Sequence, residues 1–64
     1  MGVGFLDEFV VGYLNENNEI FYQRFTVGFN SEETERDILE LFKEEHKNET
    51  YKIISIGRST YFGQ

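Results

Sequence analysis

The chain of 64 residues carries 12 Asp and Glu against 6 Lys and Arg, a net charge of −6, and has 11 aromatic residues with no Cys, Pro or Trp. That composition excludes disulfides and thiolate metal sites, and no apolar run approaches the roughly 18 residues of a membrane span. An acidic chain repels phosphate backbones, so direct nucleic-acid binding is disfavoured and a basic protein surface is the expected partner.

Residues Met1 to Glu8 lack the basic and apolar regions of a secretory signal, and a cytoplasmic location is expected, in a host cell if the chain is phage-encoded. A single α+β domain spanning 1–64 is expected. A chain this short buries only about 60% of its unfolded surface. Large side chains or a second copy must supplement the core, and seven Phe and four Tyr supply the first remedy. A homodimer is the second.

The first strand is predicted over Phe9–Leu14, a run of β-formers that ends in Asn15-Glu16-Asn17-Asn18-Glu19. Ile20–Phe29 resumes the β composition, so the two runs read as a hairpin, with Asn17-Asn18 able to take positive φ. As a two-residue loop, Asn17-Asn18 pairs Leu14 with Phe21 and Val10 with Phe25. Strand alternation then places Leu14, Val10, Phe21, Phe25 and Val27 on one face, beneath a helix. Phe9, Val11, Tyr13 and Tyr22 fall on the opposite, uncovered face, where an aromatic patch marks an interface. The N-terminal segment or Tyr61-Phe62 folding over that face is the alternative, and a slip of one residue would exchange the two faces.

A helix follows, capped by Asn30 or Ser31, with Glu32, Glu33 and Glu35 at the positive end of its dipole. Its apolar stripe is Ile38, Leu39, Leu41 and Phe42, of which Ile38, Leu41 and Phe42 are assigned to the sheet. Lys43 and Lys47 lie toward its end, and Asn48 can stop it. The last strand is Tyr51–Gly57, extendable through Tyr61-Phe62. The order is β-β-α-β. A right-handed crossover puts the third strand beside the first, giving a three-stranded antiparallel sheet of order 2-1-3 with the helix on one face.

No constellation points to an enzyme. Asp7-Glu8 is a carboxylate pair, but acid–base catalysis needs a cleft that separates two pKa values, and one helix on three strands has little room for it. Gly2-x-Gly4 precedes a strand rather than following one, so it is no phosphate loop. His46, the single histidine, is expected to be solvated near the helix C-terminus, its neighbours Glu44, Glu45 and Glu49 giving at most a weak cation site. No metal or cofactor is expected.

Residues 31–47 hold seven acids and three bases. Glu33 and Asp37, and Glu40 and Glu44, are repulsive i,i+4 pairs, a mild cost that a solvated helix face tolerates and a partner-facing one would explain. Glu33, Asp37, Glu40 and Glu44 are therefore candidate protein-binding residues beside Phe9, Val11, Tyr13 and Tyr22. Aromatics on an open sheet also suggest single-stranded nucleic-acid stacking through Phe9, Tyr13 and Tyr22, with Arg24, Lys52 and Arg58 as the only basic candidates.

The stretch Phe9-Val-Val-Gly-Tyr-Leu, the acidic Asn-rich turn and Ile20-Phe-Tyr-Gln-Arg-Phe resemble the small acidic proteins encoded by phages of Gram-positive bacteria. In size, charge and strand order the chain is similar to the dimeric phage inhibitors of uracil-DNA glycosylase, and phage anti-restriction and anti-CRISPR proteins share its size and acidity. The resemblance implies a DNA-mimicking dimer that occupies a host protein's nucleic-acid groove. The helix is longer and more charged than in the glycosylase inhibitors, and no inhibitor residue is carried over. The remaining alternative is a homodimeric structural module with no enzyme target.

Overall fold

The computed structural model describes residues 4–28 and 31–63, with side chains described over 6–28 and 31–59. The elements run β1 (Gly4–Asn15), β2 (Ile20–Gly28), α1 (Glu35–Glu45) and β3 (Tyr51–Gly63). The strands form one antiparallel sheet of order β2-β1-β3, so the β-β-α-β topology with β1 in the centre is as the sequence predicts. Strand β1 begins well before Phe9, and β3 continues through Tyr61 and Phe62. Gly4–Leu6 and Tyr61-Phe62 are thus paired with one another along the sheet and do not fold over its face. The cap expected at Asn30 falls outside the described residues.

The hairpin register differs from the expected one by a single residue. Leu14 pairs with Ile20 and Phe9 with Phe25. The cause lies in the turn. The Asn15 side-chain oxygen accepts from the Asn17 and Glu19 amides at 2.8 and 2.9 Å, and the Asn15 carbonyl accepts from Asn18. Asn18 alone takes positive φ, at 62°. This is a three-residue loop, Glu16-Asn17-Asn18, in which an Asx turn leads into a left-handed asparagine.

One extra loop residue exchanges the faces of β1, while Phe21, Phe25 and Val27 of β2 stay on the helix side as expected. Phe9 and Val11 are fully buried beneath α1 with Ile38 and Phe42, and Tyr13, Phe25, Val27, Tyr51, Ile53 and Ile56 pack around them. Phe9, Val11 and Tyr13 therefore form the core face, not the open one. The open face carries Val10, Gly12 and Leu14 from β1 with Tyr22 and Arg24 from β2.

The helix starts later than expected. Thr34 is its N-cap, and Thr34 and Asp37 form a reciprocal capping box. Ser31 is not a cap: its amide donates to the Gly28 carbonyl and its own carbonyl accepts from Arg58. The helix ends at Glu45 with His46 as C-cap, before Asn48. Its buried line is Ile38 and Phe42, one turn apart. Leu41 sits about 80° to one side of that line and is 52% exposed, whereas Leu39 on the other flank is half-buried.

An 11-residue helix cannot cover strands this long. The chain extends 42 × 20 × 17 Å with a radius of gyration of 13.1 Å, against about 11 Å for a compact chain of its length.

Candidate acidic surface and the site it occupies

The outer face of α1 and the segment before it form an acidic concavity. Glu32, Glu33, Asp37 and Glu40 line it, with the exposed Leu41 as its apolar element. Three of the four acids expected to face a partner are thus brought together. Glu44 is not among them, and its carboxylate pairs with Lys47 at 3.2 Å.

Two local devices hold the concavity in place. The Asp37 carboxylate accepts from the Thr34 amide at 2.9 Å and from the Thr34 hydroxyl at 3.1 Å, fixing the first turn of the helix. Arg58 Nη1 donates to the Glu33 carbonyl and Nη2 to the Ser31 carbonyl, both at 3.1 Å, fixing the segment that leads into it. The same guanidinium donates from Nε and Nη2 to Asp7 and lies 5.1 Å from the centroid of the Phe9 ring. Arg58 is therefore a structural clamp, its guanidinium committed to Asp7, Ser31 and Glu33.

Asp7 and Glu8 point to opposite faces, so they are not a catalytic carboxylate pair. Asp7 is buried against Arg58, while Glu8 lies on the open face 4.0 Å from Arg24. The three-aromatic stacking platform is likewise not assembled: Phe9 and Tyr13 lie on the helix side and Tyr22 on the other. Tyr22 is the one expected aromatic that remains available, 66% exposed. It pairs directly with Gly12 across the strands, and its ring lies over that glycine. A Cβ at Gly12 would come within 3.1 Å of the Tyr22 ring and 2.5 Å of the Ser55 hydroxyl.

His46 is not a solvated histidine. Its side chain is 12% exposed, stacked on Phe42 at 4.1 Å between ring centroids, with Tyr13 and Tyr51 against its edges. Nδ1 lies 2.7 Å from the Glu49 carboxylate and Nε2 2.7 Å from the Gln23 side-chain oxygen. The Gln23 amide nitrogen donates to Glu45 at 2.6 Å. The chain Glu49–His46–Gln23–Glu45 thus joins the helix end to β2.

Its ring neighbours are a signal that the sequence carried. Phe42 and His46 are spaced i,i+4, which stacks two planar side chains on one helix face. Among the described residues, no group of three His, Asp or Glu is placed to hold a metal, and no helix is long and apolar enough to cross a membrane. Comparisons with protein-family models, with curated proteins and with solved structures return no match.

Proposed function

We propose that the chain is a small acidic protein-binding module, encoded by a phage or other mobile element, that blocks a host nucleic-acid-binding protein by offering carboxylates where that protein expects phosphates. One observation carries this reading: Glu32, Glu33, Asp37 and Glu40 converge around Leu41 on an anchored helix start. Asp37 and Glu40, three residues apart, rise by about 4.5 Å along the helix, and Glu32 and Glu33 continue the negative charge on the segment before it. Leu41 offers an apolar contact to the aliphatic stem of an arginine or lysine whose head reaches the acids. The resemblance of the acidic hairpin to small phage proteins supports the same assignment. Phe9, Val11 and Tyr13 have no part in it, and the apolar contribution to the surface comes from Leu41.

The test is an affinity experiment with a built-in competitor. The wild-type chain and a Glu33→Lys/Glu40→Lys variant are immobilised and exposed to a nuclease-treated Gram-positive lysate. Proteins retained by the wild type are expected to be basic, to elute with duplex DNA or raised salt, and to be missing from the variant column. The same proteins on both columns at the same salt, or none on either, would remove the proposal.

A further inference from the structure

The open edge of β2 is the second surface with a specific occupant. Its nine residues, Ile20-Phe-Tyr-Gln-Arg-Phe-Thr-Val-Gly, contain no Asp or Glu in a chain of net charge −6. A second copy can approach this strand without meeting its own carboxylates head-on. The strand is regular, pairing with β1 without interruption from Val27 to Ile20. The opposite edge, β3, is also free of acids, but its register breaks opposite Gly12 and Tyr13 and it presents Lys52, both devices that discourage strand addition.

The hydrogen-bond parity is known. The Asn15 amide donates to the Glu19 carbonyl, so Glu19 faces β1, and alternation turns the main-chain groups of Ile20, Tyr22 and Arg24 outward. A two-fold axis at Gln23 would pair Tyr22 with Arg24 of the second copy, through those outward groups. The pairing is self-complementary on both faces. On the open face the exposed Tyr22 ring meets the Arg24 guanidinium, an aromatic–cation pair. On the helix face Phe21, 44% exposed, meets the half-buried Phe25. Gln23, at the axis, holds the Glu45 carboxylate of its own chain by a hydrogen bond.

The need for such a partner is visible in the surface. The chain exposes 4782 Å², against about 4,300 Å² for a compact monomer of its mass, and only four hydrophobic residues are fully buried among those described. We infer that two copies join antiparallel through β2 into a continuous six-stranded sheet, the Phe21–Phe25 contacts extending the core across the axis. An axis normal to the sheet leaves both helices on one face and their acidic sides uncovered, so the inference stands apart from the function proposed above.

Sedimentation equilibrium of the full chain is expected to give twice the 7.6 kDa chain mass at about 100 μM, within reach of a weak homodimer. Arg24→Pro removes an outward amide that β1 does not use, and is expected to weaken the dimer tenfold or more while leaving the far-ultraviolet circular dichroism unchanged. Gln23→Cys, the only cysteine in the chain, is expected to form an intermolecular disulfide on mild oxidation, while Glu44→Cys on the helix exterior does not. A wild-type chain that stays at the monomer mass overturns the inference, as does a folded Arg24→Pro that remains fully dimeric. Should Arg24→Pro unfold, Gln23→Cys decides: selective cross-linking supports the two-fold at residue 23, and its absence overturns it.

Discussion

Arg58 and Asp7, 51 residues apart, join the last strand to the first: Nε and Nη2 both donate to one oxygen of a carboxylate only 4% exposed. The pair sits at the edge of the core, where the Phe9 ring supports the guanidinium. Removing one partner strands the other charge in a poorly solvated place. Asp7→Ala is expected to cost about 3 kcal/mol, the lower end for a buried pair because Arg58 keeps some exposure. Arg58→Met should cost at least as much, since it also frees the Ser31 and Glu33 carbonyls. The double variant Asp7→Leu/Arg58→Met is expected to be closer to wild type than either single change. Urea denaturation of all four chains gives the cycle. Additive losses would show that the two groups act independently.

Thr34 is the second anchor of the acidic surface. Its hydroxyl accepts from the Asp37 amide, and Asp37 returns the bond to the Thr34 amide. Thr34→Ala is expected to lower stability by about 1 kcal/mol, and Thr34→Asn or Thr34→Ser by much less. Asp37→Asn keeps an acceptor but loses the favourable charge at the helix start, a smaller loss of about 0.5 kcal/mol. Thermal unfolding by circular dichroism ranks the four variants. A Thr34→Ala chain as stable as wild type would remove the capping box as a determinant of this surface.

Strand order was legible in the sequence because it depends on coarse quantities: two β-rich runs across an Asn-rich turn, one amphipathic stretch, and the handedness of the crossover. The face of β1 was not, although that of β2 was, because the phase of one strand against the other depends on whether the loop holds two residues or three. Two asparagines fit a two-residue turn as composition, but Asn15 decides the matter by accepting two amides with its side chain. One signal within the sequence favoured the true register. Gly12 shares a phase with Val10 and Leu14, and a glycine contributes no side chain to a core, so the phase of Phe9, Val11 and Tyr13 is the better core face. The acidic cluster was legible in part, because Asp37 and Glu40 keep their helical spacing when the helix starts later, whereas Glu33 joins them from the segment before the helix. Glu44 was not separable from it, since Lys47 at i+3 could as well have faced solvent. The enclosure of His46 was not legible because its sequence neighbours are polar, while Phe42, Tyr13 and Tyr51, which enclose it, come from one turn back and from two strands.

The His46 network makes a prediction about stability. Gln23 donates its amide nitrogen to Glu45, which turns its oxygen to His46 Nε2, while Nδ1 faces the Glu49 carboxylate. Both neighbours of the ring are acceptors, so a ring that donates from both nitrogens satisfies both. Gln23→Ala removes one acceptor and the link to Glu45, and is expected to cost about 1 kcal/mol. His46→Phe should retain the stack on Phe42 while losing both hydrogen bonds, at a cost of roughly 1 to 2 kcal/mol. Urea denaturation measures both losses. A His46→Phe chain as stable as wild type would show that the two hydrogen bonds contribute nothing to the fold.

Phe42 and Leu41 are adjacent in sequence and opposite in consequence, which separates stability from binding in one pair of variants. Phe42 is fully buried and touches the rings of Tyr13, His46 and Tyr51. Phe42→Ala is expected to cost about 3 to 5 kcal/mol, enough to unfold a domain of this size at ordinary temperature. Leu41 contributes its exposed side chain to the acidic concavity and little to the core. Leu41→Ser should change stability by less than about 0.5 kcal/mol. If the concavity takes the stem of a partner's basic residue, the same change weakens retention of the DNA-displaceable proteins several-fold, about 1 kcal/mol of lost apolar contact. Urea denaturation and the affinity columns measure the two effects separately. A Leu41→Ser chain that unfolds early would place Leu41 in the core, and one that binds as well as wild type would leave the acids alone to account for recognition.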